Sequence, residues 1–523
     1  MLIKILLLLQ AMILLISCQQ NQEKAKITAL EEISYQQPYR PQFHFSPPQN
    51  WINDPNGLTY HNGEYHLFYQ YNPYGDVWGH MSWGHAVSKD LVHWDHLPVA
   101  LKEENNVMIF SGSAVSDVDN TSGFGTKENP PMVAIYTGHH TDKKLQDQRI
   151  AYSTDNGRTW TKFKGNPVLD IDKAEFRDPK VIWHEPTQKW VVVVAAAIER
   201  KVHFYGSKNL KEWEFLSDFG PAASNERNWE CPDLFRLPVE GTDGKFRWVL
   251  QVDVGDGAVA GGSGGQYFVG HFDGTAFTSE VPEEDTTAEP LWVDYGKDFY
   301  AVQSWSNIPK NDGRRLWLAW MNNWQYAGDI PTNPWRGSMT IPREVTLVHL
   351  PDGIRLIQKP IAELDKIRGQ STNINSMSIS SGAKNLSKKG IEGKKLEILA
   401  TFELRGADEF GFKVHKGESE ETVVGYRVDD QELFVDRTNS GAVAFSEDFP
   451  GVHTAPMKPE QGTITLHLFI DHSSVEVFGN QGRRVITDRI FPSKQSDEID
   501  LYAKNGDVTL TSLTSWELRS VWR

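Results

Sequence analysis

Short stretches in which apolar and polar residues alternate recur along most of this chain, broken by Gly, Asn, Asp and Pro. Period-two alternation with frequent turn residues predicts β-strands joined by tight turns. Three of the turns share a shape: SKDLVHW (Ser88–Trp94), STDNGRTW (Ser153–Trp160) and SKNLKEW (Ser207–Trp213). Each follows an alternating run (SWGHAV, RIAY, VHFYG) and places a Ser, then an Asp or Asn, then a Trp. HFDGTAFT, with Phe277 in the place of the Trp, is a worn further copy. The Asx side chain bonds its own turn while the aromatic packs onto the sheet, so each copy closes a hairpin. Trp94, Trp160, Trp213 and Phe277 stand 66, 53 and 64 residues apart, a spacing that suggests the blades of a β-propeller.

A blade begins at its innermost strand, and the stretches upstream of each closing aromatic are NWINDPNG, IFSGSAV, EFRDPKVIW and NWECPDLFRL. A last unit, DYGKDFYAVQSW through RRLWLAWMNNW, brings the count to five. Beyond Pro360, IAELDKIRG predicts a short helical link, and the Ser, Asn, Gly and Lys of 372–393 predict a loop. From Lys394 alternation resumes with turns every 8 to 12 residues, as in KLEILATFEL and TITLHLFIDHSSVEVF, which reads as an antiparallel sandwich. The expected fold is all-β: a leader and tether over 1–35, a five-bladed propeller over 36–360, a linker over 361–393 and a β-sandwich over 394–523.

Composition narrows the class. The 523 residues are 39% hydrophobic and carry a formal net charge of −16. That charge argues against nucleic acid or an anionic membrane surface as the main partner, since both select clustered Lys and Arg. The 17 His show no HExxH pattern and no CxxC exists, so neither metal nor cofactor is expected. At the start, Lys4 precedes an apolar run from Ile5 to Ile16 and the ending LISC. This layout predicts export, and the LISC ending resembles the lipobox of bacterial lipoproteins, which implies Cys18 as the site of lipid attachment and a membrane anchor. Cys231 is the only other cysteine, so no disulfide is expected in the mature domain.

Three of the leading segments begin with a carboxylate: Asp54, Asp178 and Glu230. NWINDPNG alone reads as a β-turn whose Asp54 bonds local backbone. Acids that a propeller brings together at equivalent places of its channel cost free energy unless they are solvated or used.

WINDPNG, WGHMSWGHAVSKDLVHW, FSGS, FRDPKV, WECPDLF and IDHSSVEVF resemble, in order, the signature blocks of glycoside hydrolase family 32, the β-fructosidases. The resemblance spans residues 40 to 520 and implies a five-bladed propeller backed by a sandwich. It implies Asp54 as nucleophile, Glu230 as acid/base and Asp178 as transition-state stabiliser. It implies a fructose subsite lined by Asn53, Gln70, Trp78, Phe110, Ser111, Arg177 and Trp324. The implied substrate is a fructan (levan or inulin) or sucrose. The Met321–Glu344 region, with Trp324, Trp335 and Arg336, is similar to exo-acting members and is expected to wall the pocket.

The chemistry asks for these types. A fructoside breaks through an oxocarbenium-like state flanked by two carboxyl groups, one attacking as an anion and one donating a proton. Arg177 and the backbone near Asn53 are expected to keep Asp54 and Asp178 ionised, and their charge to keep a proton on Glu230. Asp298, leading the last unit, is read as either a substrate contact or a strand-end cap. The Gly-rich Gly255–Phe268 stretch lacks a phosphate-loop ending and reads as a tight loop at the channel mouth. Other readings are an endo-acting enzyme, a sialidase (which needs an arginine cluster where only Arg177 stands) and an inactive glycan-binding homologue, which would have lost an acid.

Overall fold

A computed structural model describes residues 35–282 and 289–522. The expected leader and Cys18 lie outside the described residues.

The hairpins predicted from the Ser–Asx–aromatic turns are present. Ser88 ends one strand and Trp94 opens the next, and Ser153/Thr161, Ser207/Glu214 and Phe272/Phe277 bracket the corresponding turns. Asp90 Oδ1 accepts the His93 N–H at 2.9 Å, and the Trp94 indole returns a bond to the Leu91 carbonyl at 3.2 Å. Each such turn joins the outer two strands of an antiparallel meander. The leading strands of these meanders are Asn50–His61, Val107–Ser116, Phe176–His184 and Trp229–Glu240, followed by Tyr300–Ser304. Each leading strand touches the next, and the last touches the first. The meanders led by Asn50, Val107 and Phe176 are separate sheets. The strands from Tyr300 to Pro360, apart from Trp335–Arg336, which pairs with Asn50 and Trp51, instead join the Trp229 meander through the parallel pair Val239/Leu347, making one nine-stranded sheet.

NWINDPNG is a strand and not the β-turn its composition suggests. Asn50–His61 pairs with Glu64–Tyr71, but the register breaks between Ile52 and Pro55. Pro55 is tolerated because a bulged strand needs no ladder N–H there. Gly57 has φ +57°, and a Cβ on it would lie 2.6 Å from the Phe68 ring. Turn residues here serve a bulge, which uses the same backbone freedom.

The C-terminal half is two stacked antiparallel sheets of seven and six strands. Ile398, Phe402, Phe410, Val424, Leu466 and Leu501 lie fully buried between them. The loop expected over 372–393 is a correction. Arg368–Ile374 and Met377–Ile379 pair with Val508–Leu518, and Gly382–Asn385 pairs with Glu498–Lys504. Polar composition hid them because they are sheet additions whose outward side chains face water. The helical link survives as a 3-10 turn over Ala362–Ile367.

The two halves share buried charge. His44 lies fully buried between Asp471 (2.8 Å) and Glu476 (2.8 Å). Arg343 bridges Asp294 at 3.0 Å and also pairs with Glu476. Asp298 accepts from Tyr326 and pairs with Arg437, so it is an interface group and does not line the cavity that holds Asp54. Burial alone would lower the His44 pKa, but the two carboxylates outweigh it and raise it to about 9. Burial would raise Asp471, and His44 overrides it to about 2. The His44 contribution is complete below its unfolded pKa of about 6.5 and is lost as pH rises through about 9. The Asp471 contribution is complete above about 3.9 and is lost as pH falls through about 2. The contribution of this pair to the melting temperature is therefore expected to be level between about pH 4 and 6.5 and to fall toward pH 9. His44→Gln should lower the plateau, by about 3–5 kcal/mol for a broken buried pair, and flatten the alkaline slope. Calorimetry across pH reads both.

Candidate active site

Every leading strand carries a register break at its start: Ile52/Pro55, Ile109/Gly112, Arg177/Lys180, Glu230/Asp233 and Tyr300/Gln303. A bulge re-aims side chains, and here it turns them into the space that the leading strands enclose. The three acids do not occupy equivalent places, contrary to the sequence reading. Glu230 is the last paired residue before its break, Asp178 the first residue inside, and Asp54 the second inside. The equivalent of Asp178 in the next unit is Cys231, and both hold left-handed backbone, φ 64° and 46°. The acids converge because the breaks differ in detail, which no repeat alignment reveals.

Asp54, Asp178 and Glu230 line one cavity of about 530 Å³. Asn53, Gln70, Trp78, Phe110, Ser111, Arg177 and Trp324 line it as well. Asp54 is buried; Ser111 Oγ donates to its Oδ2 at 2.5 Å and Asn53 Nδ2 to its Oδ1 at 3.0 Å. Burial raises its pKa and these donors oppose the rise, while they fix where its two oxygens point. The Gln70 amide is anchored on the Ile109 carbonyl at 3.1 Å, and the Phe110 ring lies flat on His139 at 4.4 Å. Trp78 and Trp324 remain 45% and 37% exposed, as faces for a ligand must be. Trp51 is buried, with its indole N–H on Asn53 at 2.8 Å; it supports the site from beneath.

The electrostatics differ from expectation. Arg177 directs its fork at Glu230, with Nη2 at 2.7 Å and Nε at 3.0 Å from Oε1, and stands 4.0 Å from Asp178. Arg177 and Asp178 are successive residues at a bulge, so one guanidinium cannot chelate both acids. Glu230 Oε2 accepts from the Tyr300 hydroxyl. Burial lifts Asp178 to about 7; Arg177 opposes the shift, and Glu230 and Asp54 add to it. Ionising Asp178 thus costs the folded state stability as pH rises from about 4 through about 7. Cys231 donates its backbone N–H to Asp178 at 3.0 Å. Its thiol lies 3.8 Å from Asp54 and 3.6 Å from Asp178, and burial with those neighbours holds it protonated.

Sequence reasoning missed Tyr300, His139, Gln146, Glu175 and Asn228. Glu175 was within reach of it, since it stands two residues before Arg177 and pairs with that guanidinium. Tyr300, Gln146 and His139 carry no local signal; only the assembly of strands brings them in. Trp335 and Arg336 do not wall the cavity. Trp335 is fully buried, and Arg336 reaches the Gly328 carbonyl and, at 3.6 Å, Asp76, tying two mouth loops together. Gly255 lines the cavity, as expected of the Gly-rich loop. Among the described residues no group of three or more His, Cys, Asp or Glu is arranged to hold a metal ion.

The glycosyl hydrolases family 32 N-terminal domain matches residues 44–360 and the family 32 C-terminal domain matches 363–517. The chain belongs to glycosyl hydrolase family 32. Its family 32 relatives include a levanase of Bacillus subtilis, 53% identical over 94% of this chain and 72% of the relative. An extracellular exo-inulinase of Aspergillus awamori is 40% identical over 94% of this chain and 96% of the relative. The crystal structure of the Aspergillus awamori exo-inulinase superposes with a TM-score of 0.87, covering 94% of this chain and all of that one (100%). β-Fructofuranosidase from Schwanniomyces occidentalis, complexed with fructosyl-erythritol, gives 0.83 at 33% identity, covering 92% and 98%. Family 32 architecture is an N-terminal propeller and a C-terminal β-sandwich, consistent with the meanders and stacked sheets here.

Proposed function

We propose that this family 32 chain is a retaining, exo-acting fructan β-fructosidase that releases terminal fructose from levan or inulin and also hydrolyses sucrose. The observation that carries the reading is the convergence of three carboxyl groups with Ser111, Arg177 and two exposed indoles in one cavity, in a chain related to a levanase and an exo-inulinase. Asp54 attacks the anomeric carbon, its Oδ2 steered by Ser111. Glu230, positioned by Arg177 and Tyr300, donates to the departing oxygen and later takes a proton from water. Asp178 faces the ring hydroxyls and binds them most strongly as charge develops on the sugar. The leading strands are read as five blades, with the nine-stranded sheet as two blades joined at their edges. Trp78 and Trp324 face the cavity from the two loops that Arg336 ties together through Asp76 and the Gly328 carbonyl, which suits one terminal sugar.

Early digests of levan and inulin are expected to contain fructose alone while polymer length falls slowly, and NMR of the first product should show the β anomer. An early ladder of oligosaccharides would make the enzyme endo-acting; α-fructose would make Asp54 a base rather than a nucleophile.

The LISC ending supports export and lipid attachment at Cys18. Cys18→Ser is expected to move an active enzyme from the membrane fraction to the soluble one, and continued sedimentation with membranes would end this reading.

A further inference from the structure

A second cavity of about 570 Å³, as roomy as the catalytic one, opens at the other end of the same strands. His184 lies six residues beyond Asp178 along its strand, which sets the two sites about 20 Å apart. The second cavity lies between the meander led by Phe176 and the sheet led by Trp229.

Its charge is unusual for a chain of net −16. The Arg236 guanidinium sits over the Phe246 ring, 4.0 Å from its centroid, and its side chain makes no hydrogen bond or ion pair among the described residues. This contact leaves the donors of the guanidinium unspent. Arg315, over the Phe235 ring, uses one donor on the Trp305 carbonyl at 3.1 Å. The one acid of the lining, Glu185, already accepts from the Trp183 indole at 2.7 Å. Arg247 nearby is covered by Glu280. Here the cations face a cavity, and the aromatic rings of Trp183, Phe246 and Trp248 supply apolar faces beside them.

The geometry points to a binding site for an anionic saccharide: a sugar bearing a phosphate or carboxylate. The oxyanion would take the fork of Arg236, and the sugar ring would lie against the aromatic wall. The site is separate from the catalytic residues and does not depend on the fructosidase reading.

Titration calorimetry on the full chain with glucose 6-phosphate, glucuronate, inorganic phosphate and glucose tests this. At least one of the two anionic sugars is expected to bind with a Kd below about 1 mM, and glucose not to bind at about 10 mM. Whichever anion binds identifies the oxyanion. Arg236→Gln should weaken that binding about tenfold or more. The same variant should hydrolyse fructan within about twofold of the parent. The proposal is overturned if neither anionic sugar binds at about 10 mM, if Arg236→Gln binds as the parent does, or if inorganic phosphate binds as tightly as the ester.

Discussion

Asp54→Asn lowers turnover on levan or inulin by about four orders of magnitude or more, in a protein that still folds, because the amide cannot form the fructosyl ester. The substitution keeps the volume and one oxygen for the Ser111 hydroxyl, which donates to Oδ2 at 2.5 Å. It also removes a carboxylate that burial makes expensive, so the melting temperature should hold or rise. Loss of function with retained stability is the mark of a group kept for chemistry at some cost to the fold. Binding should survive, since Trp78, Trp324, Phe110 and Gln70 are untouched, and KM is expected to change far less than kcat. Steady-state kinetics beside a melting curve read all three quantities. Turnover within about tenfold of the parent would remove Asp54 from the nucleophile role.

Glu230→Gln is the second large loss, about 10²- to 10⁴-fold on natural fructans, the range for removal of a general acid. Its diagnostic value lies in the leaving group. A nitrophenyl fructoside departs without a proton, so its first step should be nearly spared, and added azide should rescue the second step by replacing the water that Glu230 activates. Glutamine still offers Oε1 to the Arg177 fork, and its amide can meet the Tyr300 hydroxyl, so the site should keep its shape. An equal loss on both substrates, with no rescue, would mean that Glu230 positions other groups and transfers no proton.

The chain's own pattern determined a good deal. Period-two alternation identified strands, and the Ser–Asx–aromatic turns located the hairpins between Ser88 and Trp94 and between Ser207 and Glu214, because turn geometry is written in a few neighbouring residues. The ordered motif blocks named the family and the residues that line the cavity, since those are residue types demanded by chemistry. What local pattern could not carry was left to tertiary structure. NWINDPNG holds turn residues yet forms a bulged strand, because both structures draw on the same backbone freedom and only the partner strand decides between them. Residues 372–385 look like loop and pair largely as strands, because a sheet already formed supplies their hydrogen bonds. Arg177 chooses Glu230 over Asp178, Tyr300 reaches Glu230, and His44 is trapped between two acids of the other half. Each of these pairs groups far apart in sequence, and the energy of such a pair depends on distance and burial that only the packed chain defines.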